Sequence, residues 1–159
     1  MIKKMSALVA IAAAAGVAVT VAQASTPKSH HVHKRGEGTG IAHPPFTKTN
    51  NFAGTLGTNG ATIERRVFKA GSQTTFGGTA TVFGPQGSYS GTITKGTVTE
   101  PSGCPSPCNQ PPKKETAKVK ITAGGGHYKG ATGTVTITDT YIPASPAFFK
   151  IVVDGTIKY

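Results

Sequence analysis

Hydrophobic and polar residues alternate one by one over most of the chain beyond residue 46. The clearest stretch is 116–122, where alanine, valine and isoleucine occupy every second position and two lysines lie between them. Near the C-terminus, Phe149, Ile151 and Val153 share one face and Lys150 lies on the other. A period of two is typical of a β-strand with one buried face, and no window shows the 3.6-residue period of a helix. The pattern therefore predicts an all-β domain.

The same test predicts about seven strands, which are 51–57, 61–69, 75–83, 88–99, 116–122, 134–141 and 149–158. The turn 84–87, Gly-Pro-Gln-Gly, indicates a hairpin, and Lys95-Gly96 interrupts the alternation where a bulge is expected. Closure into a barrel is the most complete way to protect the edges of many short strands. We therefore expect a closed antiparallel β-barrel of about eight strands. A two-sheet β-sandwich is the alternative, because alternation fits both folds.

The first 24 residues have the three parts of a signal peptide. Lys3 and Lys4 precede an uncharged apolar run at 6–21, and Ala22-Gln23-Ala24 provides the small residues that signal peptidase accepts. A retained anchor is the alternative, but the run is shorter than the roughly 20 residues that span a bilayer comfortably. The sequence predicts cleavage after Ala24, with no stable membrane anchor afterwards. The mature protein is then secreted, periplasmic or held in the cell envelope.

Residues 25–45 contain prolines, glycines and histidines and almost no apolar side chains. Such a segment buries too little surface to order itself, so we expect a flexible leader followed by a barrel domain at 46–159. His30, His31 and His33 in this leader are candidates for weak metal binding. Because a histidine-rich tract is compositional evidence only, no metal and no cofactor are predicted.

Cys104 and Cys108 are the only cysteines, and export places them where disulfides persist. Two cysteines alone cannot fill a tetrahedral zinc site, and their spacing is not that of a redox motif. We therefore expect a small disulfide within the proline-rich segment 102–112, which is predicted to be a loop at one barrel rim.

The chain carries 17 basic and 6 acidic residues, a formal net charge of +11. This excess favours anionic partners, among them the anionic polymers of a cell envelope. The alternative is that lysine only keeps the domain soluble, and the scattering of the basic residues along the sequence favours that interpretation. Tryptophan is absent and no aromatic-basic interleaving occurs, so no specific nucleic-acid partner is predicted.

Residues 121–135 resemble the segment that marks allene oxide cyclase-like and dirigent-like barrels. In both, a strand ends in a glycine cluster, an aromatic residue follows, and a Gly-Ala-x-Gly step leads into the next strand. The resemblance covers roughly 50–159 and implies a bacterial exported member with eight antiparallel strands and an axial cavity. Plant members include an isomerase that cyclises an unstable fatty-acid epoxide, and proteins that steer the coupling of phenoxy radicals. No catalytic residue of the family maps onto a position of this sequence.

Asp139 lies in phase with the apolar residues of its strand, which places a carboxylate on the buried face. A buried carboxylate needs a partner or a raised pKa. Arg65, between two apolar residues on the same alternation, is the candidate partner, and Asp139 and Arg65 are the candidates for a catalytic role. The alternatives are that Asp139 lies in water at the rim and that Arg65 points to solvent. Tyr89, His127 and Tyr141 are candidates for lining the barrel mouth, although tyrosines in barrels are mostly core residues with a wet hydroxyl.

Two functions remain open, and none of the familiar catalytic motifs is present. The first is a non-enzymatic module that holds a small hydrophobic ligand or interacts with the envelope. The second is an isomerase or cyclase acting on a hydrophobic substrate inside the barrel. A purely apolar interior favours binding alone, whereas convergent polar groups with perturbed pKa values favour catalysis.

Overall fold

The computed structural model describes residues 26–40, 49–57, 60–72, 74–100, 112–141 and 147–159. Within them, eight antiparallel strands close into one barrel, in which each strand pairs with its neighbours in sequence and β8 pairs with β1. The strands are β1 Ser29–Gly40, β2 Thr49–Thr55, β3 Ala61–Phe68, β4 Thr75–Gly84, β5 Gly87–Thr99, β6 Lys113–Gly126, β7 Thr132–Tyr141 and β8 Ala147–Lys158. The predicted closed barrel is confirmed over the sandwich.

The eighth strand is β1, which lies in the segment that composition predicts to be a flexible leader. That prediction is wrong for 29–40, since β1 pairs with β8 along its whole length, from Ser29 with Lys158 to Gly40 with Ala147. Backbone hydrogen bonds to the edges of β2 and β8 order β1, whose only buried apolar side chain among the described residues is Val32. Its glycines let β2 approach closely, because a Cβ at Gly38 would lie 2.7 Å from the Gly54 Cα. The barrel therefore begins at residue 29 and not near 46.

The other strand predictions are confirmed to within a few residues. The β4–β5 hairpin closes with Gly84 opposite Gly87, and the ladder shifts register between Ile93 and Lys95, beside the predicted bulge. The predicted signal peptide at 1–24 and the predicted disulfide between Cys104 and Cys108 lie outside the described residues. No helix in the described part of the chain is long and apolar enough to cross a membrane.

Inward side chains form rows that cross β6, β7 and β8 in register. Two apolar rows, consisting of Val119 with Val135 and of Ala117, Ile137 and Val153, confirm the layer expected from alternation. The next row towards the end of β7 contains Glu115 and Asp139, both buried. The core is thus apolar in its middle and charged near one end.

Candidate functional site

A single arginine crosses the barrel interior near the end where β3 and β7 finish. Arg66 belongs to β3, and β7 lies four strands away in either direction around the ring, on the opposite wall. The side chain is only 1% exposed. An arginine at this depth requires acceptors for its guanidinium N–H groups.

Three carboxylates accept those hydrogen bonds. The Nε and Nη2 groups of Arg66 donate to Glu64 Oε2 at 3.2 and 3.1 Å. The Nη1 group donates to Glu115 Oε2, and Nη2 also donates to Asp139 Oδ2. Tyr141 donates its hydroxyl to Glu115 Oε1 at 2.6 Å. These five residues, Glu64, Arg66, Glu115, Asp139 and Tyr141, are called the charged centre below.

Strand geometry explains why the members of the charged centre meet. Glu64 and Arg66 are two residues apart on β3 and therefore share a face. Glu115 and Asp139 pair directly across β6 and β7, and Tyr141 follows Asp139 by two residues. Like charges directly opposite each other destabilise a sheet, so this pair depends on the cation from the far wall.

Aromatic rings enclose the guanidinium. The Cζ atom of Arg66 lies 5.1 Å from the ring centre of Phe52 and 5.4 Å from that of Phe76. Such contacts attract a cation to the ring face and exclude water from it. Gly96 is required opposite Phe76, because a Cβ there would overlap the ring. The charged centre therefore sits in an apolar, low-dielectric surrounding.

Negative charge exceeds positive charge in this enclosure, since three carboxylates surround one guanidinium. Burial, reinforced by the neighbouring Glu64, raises the pKa of Asp139 from 3.8 to about 7, although Arg66 acts in the opposite direction. Burial also disfavours the charge on Arg66, but Glu64 and Asp139 outweigh it and raise the pKa of that guanidinium above its usual value. Arg66 stays charged, whereas Asp139 exchanges a proton near neutral pH.

Several buried polar atoms on the inner face of β3 and on Asp139 have no hydrogen-bond partner in the part of the chain that the structure describes. They are Glu64 Oε1, Asp139 Oδ1 and, two residues before Glu64 on the same face, Thr62 Oγ1. Buried polar atoms in native proteins are nearly always hydrogen-bonded, because leaving one unpaired costs about 1–3 kcal/mol. These atoms therefore mark a place where water or a ligand supplies the missing hydrogen bonds.

The predicted pair of acid and arginine is half correct. Asp139 is buried, 1% exposed, and belongs to the inner layer. Arg65 is exposed, so its prediction as the partner is wrong, and the neighbouring Arg66 takes that role. On β3 the more hydrophobic face is the outer one, because Ile63 is 51% exposed while Glu64 points inward.

The three residues expected to line one mouth lie at two ends of the barrel. Tyr141 is half-buried in the charged centre, where burial raises its pKa. Tyr89 and His127 lie at the opposite end, where Tyr128 contacts both rings, at 5.4 and 5.7 Å between ring centres. The Tyr89 hydroxyl is buried without a partner among the described residues, and burial raises its pKa. The expectation of a shared mouth is wrong.

Sequence reasoning missed Glu64, Arg66 and Glu115. Glu115 carried a usable signal, because it continues the inward phase of Ala117 and Val119 by one more step. Glu64 and Arg66 carried a weaker signal, because Phe68 at the end of β3 is the one apolar side chain on their phase, whereas Ile63 and Val67 lie on the other phase. Only the opposite wall of the barrel shows that these polar positions face inward.

Strand formation places His30 on the opposite face of β1 from His31 and His33. His31 lies on the outer face with its Nε2 3.5 Å from Asp154 Oδ1. His30 stacks on Tyr159 with ring centres 4.3 Å apart. His33 lies on the outer face, where its Nδ1 donates to Asp154 Oδ1 at 2.8 Å and its Nε2 accepts from Arg35 at 3.1 Å. Within the described residues, no group of three histidine, cysteine, aspartate or glutamate side chains is arranged to hold a metal ion.

Fold and site together define a closed eight-stranded antiparallel barrel with a charged centre buried at one end. No protein-family model, curated protein or solved structure matches the chain. Membership of the allene oxide cyclase-like group accordingly stays a prediction from residues 121–135.

The raised pKa of Asp139 predicts that the free energy of unfolding of the barrel falls as pH rises from 5 to 8. The folded state holds a proton on this carboxyl below about pH 7, whereas the unfolded chain releases it near 3.8. The unfolded state therefore binds fewer protons in this window, and the free energy of unfolding falls with pH by up to about 1.4 kcal/mol per unit. Urea denaturation followed by circular dichroism at four pH values measures the slope.

The variant Asp139→Asn provides the comparison. A neutral amide of the same shape cannot titrate, so the free energy of unfolding of this variant should be nearly constant over the same range. An equal slope in both proteins would contradict the assignment of this titration to Asp139.

Proposed function

We propose that the barrel interior binds a small molecule whose hydrogen-bond donor reaches the charged centre. The observation that carries this proposal is the pair of buried carboxylate oxygens, Glu64 Oε1 and Asp139 Oδ1, that have no partner among the described residues. A ligand that donates to them satisfies both oxygens. We further propose that the barrel acts outside the cytoplasm, which rests on the signal-peptide pattern at 1–24.

The numbers of hydrogen-bond donors and acceptors in the charged centre determine which polar group the ligand must carry at the end that enters it, called the ligand head below. Three carboxylates supply acceptors, while Arg66 already donates to all three of them. A neutral alcohol or phenol, or an amine, can add the missing donors. A carboxylate or phosphate head brings further negative charge beside Glu64 and Asp139 and is disfavoured.

The surrounding residues determine the body of the ligand. Phe52, Phe76, Ile137 and Ile151 are buried around the charged centre and present apolar surface. An eight-stranded barrel is just wide enough for its own side chains or for one small ligand. The preferred ligand is therefore a compact hydrophobic molecule with one polar end.

Three probes with the same chain and different heads test this proposal: hexanol, hexylamine and hexanoate. Each is titrated into 15N-labelled protein at pH 8, and amide shifts are followed by two-dimensional NMR. Hexanol and hexylamine should shift the inward positions of β3, β6 and β7 that carry Glu64, Glu115 and Asp139. Hexanoate should bind more weakly at pH 8 and gain affinity at pH 5.5, where Asp139 carries a proton.

A matched variant separates the interior from the surface. Arg65→Gln changes the exposed neighbour of Arg66 and should leave every titration unchanged. Equal binding of all three probes at pH 8 would contradict the assigned head chemistry. Absence of shifts at inward positions with all three would overturn interior binding.

Catalysis by the same site is the second candidate, and the pKa of Asp139 near 7 is the observation that favours it. A group with that pKa is suited to give and take a proton at neutral pH. An isomerase needs no co-reactant, and the resemblance to allene oxide cyclase-like barrels points to that class. Any molecule that co-purifies is identified by mass spectrometry and incubated with protein in heavy water. Deuterium at carbon with wild type but not with Asp139→Asn supports catalysis, whereas an unchanged molecule supports binding alone.

A further inference from the structure

Six exposed lysines gather on one side of the barrel, although they are scattered through the sequence. They lie on the outer faces of β5 to β8 and are called the lysine face: Lys95, Lys114, Lys118, Lys120, Lys150 and Lys158. Strand register brings them together, since Lys95 pairs with Lys118, and Lys114 and Lys150 both pair with Thr140. Lys118 and Lys120 are neighbours on one strand face, about 7 Å apart.

Few acidic side chains oppose the lysine face in the described part of the chain: Glu37 of β1 pairs with Lys150, and Glu100 after β5 lies 3.3 Å from Lys113. Among the described residues of β5 to β8, Asp154 is the only exposed acid, and its carboxylate already accepts a hydrogen bond from His33 at 2.8 Å. The opposite side of the barrel differs, because Arg65 is the one charged side chain at the described exposed positions of β2 to β4. Positive charge is therefore concentrated on one half of the surface.

An open depression of about 600 Å³ lies on the part of the lysine face formed by β5, β6 and β7, and it is called the groove below. Two extra residues shape it, since Thr94 on β5 and Thr122 on β6 stand where the β5–β6 ladder shifts register. Such bulges increase the local bend and twist of the sheet. The side chains along the groove are mainly lysine and threonine: Thr94, Lys118, Lys120, Thr122, Thr132 and Thr134.

We propose that this groove binds a linear anionic polysaccharide. Lys118 and Lys120 offer ammonium groups to carboxylates, sulfates or phosphates along the polymer. The other lysines of the lysine face extend the positive electrostatic potential beyond the groove. Threonine hydroxyls both donate and accept hydrogen bonds, which suits the hydroxyl groups of sugars. Among the described residues, no aromatic side chain lines the groove, which disfavours the base stacking that single-stranded nucleic acids use.

An anionic membrane is the other polyanionic surface that lysines attract. Peripheral binding to a bilayer combines lysines with aromatic or large aliphatic side chains that enter the interface. Among the side chains that the structure describes, the exposed large hydrophobic residues are Ile63 and Phe83, which lie on β3 and β4, away from the lysine face. This separation favours the polysaccharide.

Two triple variants with equal loss of charge test the proposal. Lys95→Gln/Lys118→Gln/Lys120→Gln removes the two lysines of the groove and the lysine that pairs with Lys118. Arg35→Gln/Arg65→Gln/Lys69→Gln removes three exposed charges on or directly after β1 and β3, which are three strands away from β6. Binding to heparin and to polygalacturonate is measured by calorimetry at several salt concentrations. The groove variant should lose at least about tenfold in affinity, with a shallower salt dependence, because fewer counterions are released. The matched variant should stay within about threefold of wild type, since interactions beyond roughly 10 Å are screened at 0.1 M salt.

One further variant and two competing ligands test the role of the threonine hydroxyls and the identity of the partner. Thr134→Val should weaken heparin binding without changing the salt dependence, because it removes a hydroxyl and no charge. Equal losses in the two triple variants would overturn the groove as the site. Stronger binding to a 20-base-pair DNA duplex, or to vesicles of phosphatidylglycerol, would overturn the polysaccharide as the partner. Melting temperatures of all variants are compared with wild type, and none of these results depends on ligand binding inside the barrel.

Discussion

Arg66→Met should unfold the barrel at pH 8. Methionine fills much of the same volume but leaves Glu64, Glu115 and Asp139 buried without a cation. Breaking a buried ion pair by removing one partner typically costs about 3–5 kcal/mol, a large part of a total stability of about 5–15 kcal/mol. Urea denaturation followed by circular dichroism gives the loss directly. Stability should partly return at pH 5, where Asp139 can take up a proton.

Arg65→Met is the matched control, one residue away on the same strand. Its side chain is exposed, so its removal should change stability by no more than about 0.5 kcal/mol. If the two variants were equally stable at pH 8, the carboxylates would not depend on Arg66. Failure of Arg66→Met to gain stability on acidification would contradict the charge explanation and leave only lost packing.

Val135→Asp, in the apolar middle of the barrel, should lower the free energy of unfolding by an amount similar to that of Arg66→Met. Val135 is 1% exposed and faces Val119 across the β6–β7 ladder, with no cation in its row. A new carboxylate there is desolvated and unpaired, which costs several kcal/mol even after local relaxation. The expected result is a protein that is unfolded, or close to it, by circular dichroism and NMR at pH 8.

Thr134→Asp introduces the same charge at the adjacent, exposed position of β7. It should remain folded and differ little from wild type, since Lys120 pairs with Thr134 and can accommodate the new carboxylate. Tolerance of aspartate at 135, or unfolding with aspartate at 134, would show that the inward and outward faces of β7 had been exchanged.

The charged centre is not needed to hold a barrel closed. Replacing a buried ionic cluster by apolar side chains of similar volume is often neutral or stabilising. In this barrel the cluster also leaves Glu64 Oε1 and Asp139 Oδ1 without partners among the described residues. Unpaired buried atoms of this kind are more simply explained by a ligand or a proton-transfer role than by stability. This argument supports the interior site proposed above.

Alternation along the sequence by itself determined the strands β2 to β8 and the apolar layer around Val119, Val135 and Ile137. Burial of one strand face is a local property, because every second residue points the same way. The β4–β5 hairpin was equally local, since the turn residues between Gly84 and Gly87 specify it. These features need no knowledge of the rest of the chain.

Only the tertiary structure decided the features that depend on distant strands. β1 forms because β2 and β8 present open edges to it, although its own composition predicts disorder. Arg66 faces inward because Glu115 and Asp139 on the far walls compensate its charge, so β3 turns Ile63 outward against its hydrophobicity. The lysine face likewise arises from register alone. Residues far apart in sequence become neighbours there, because pairing between strands places their side chains on one surface of a closed barrel.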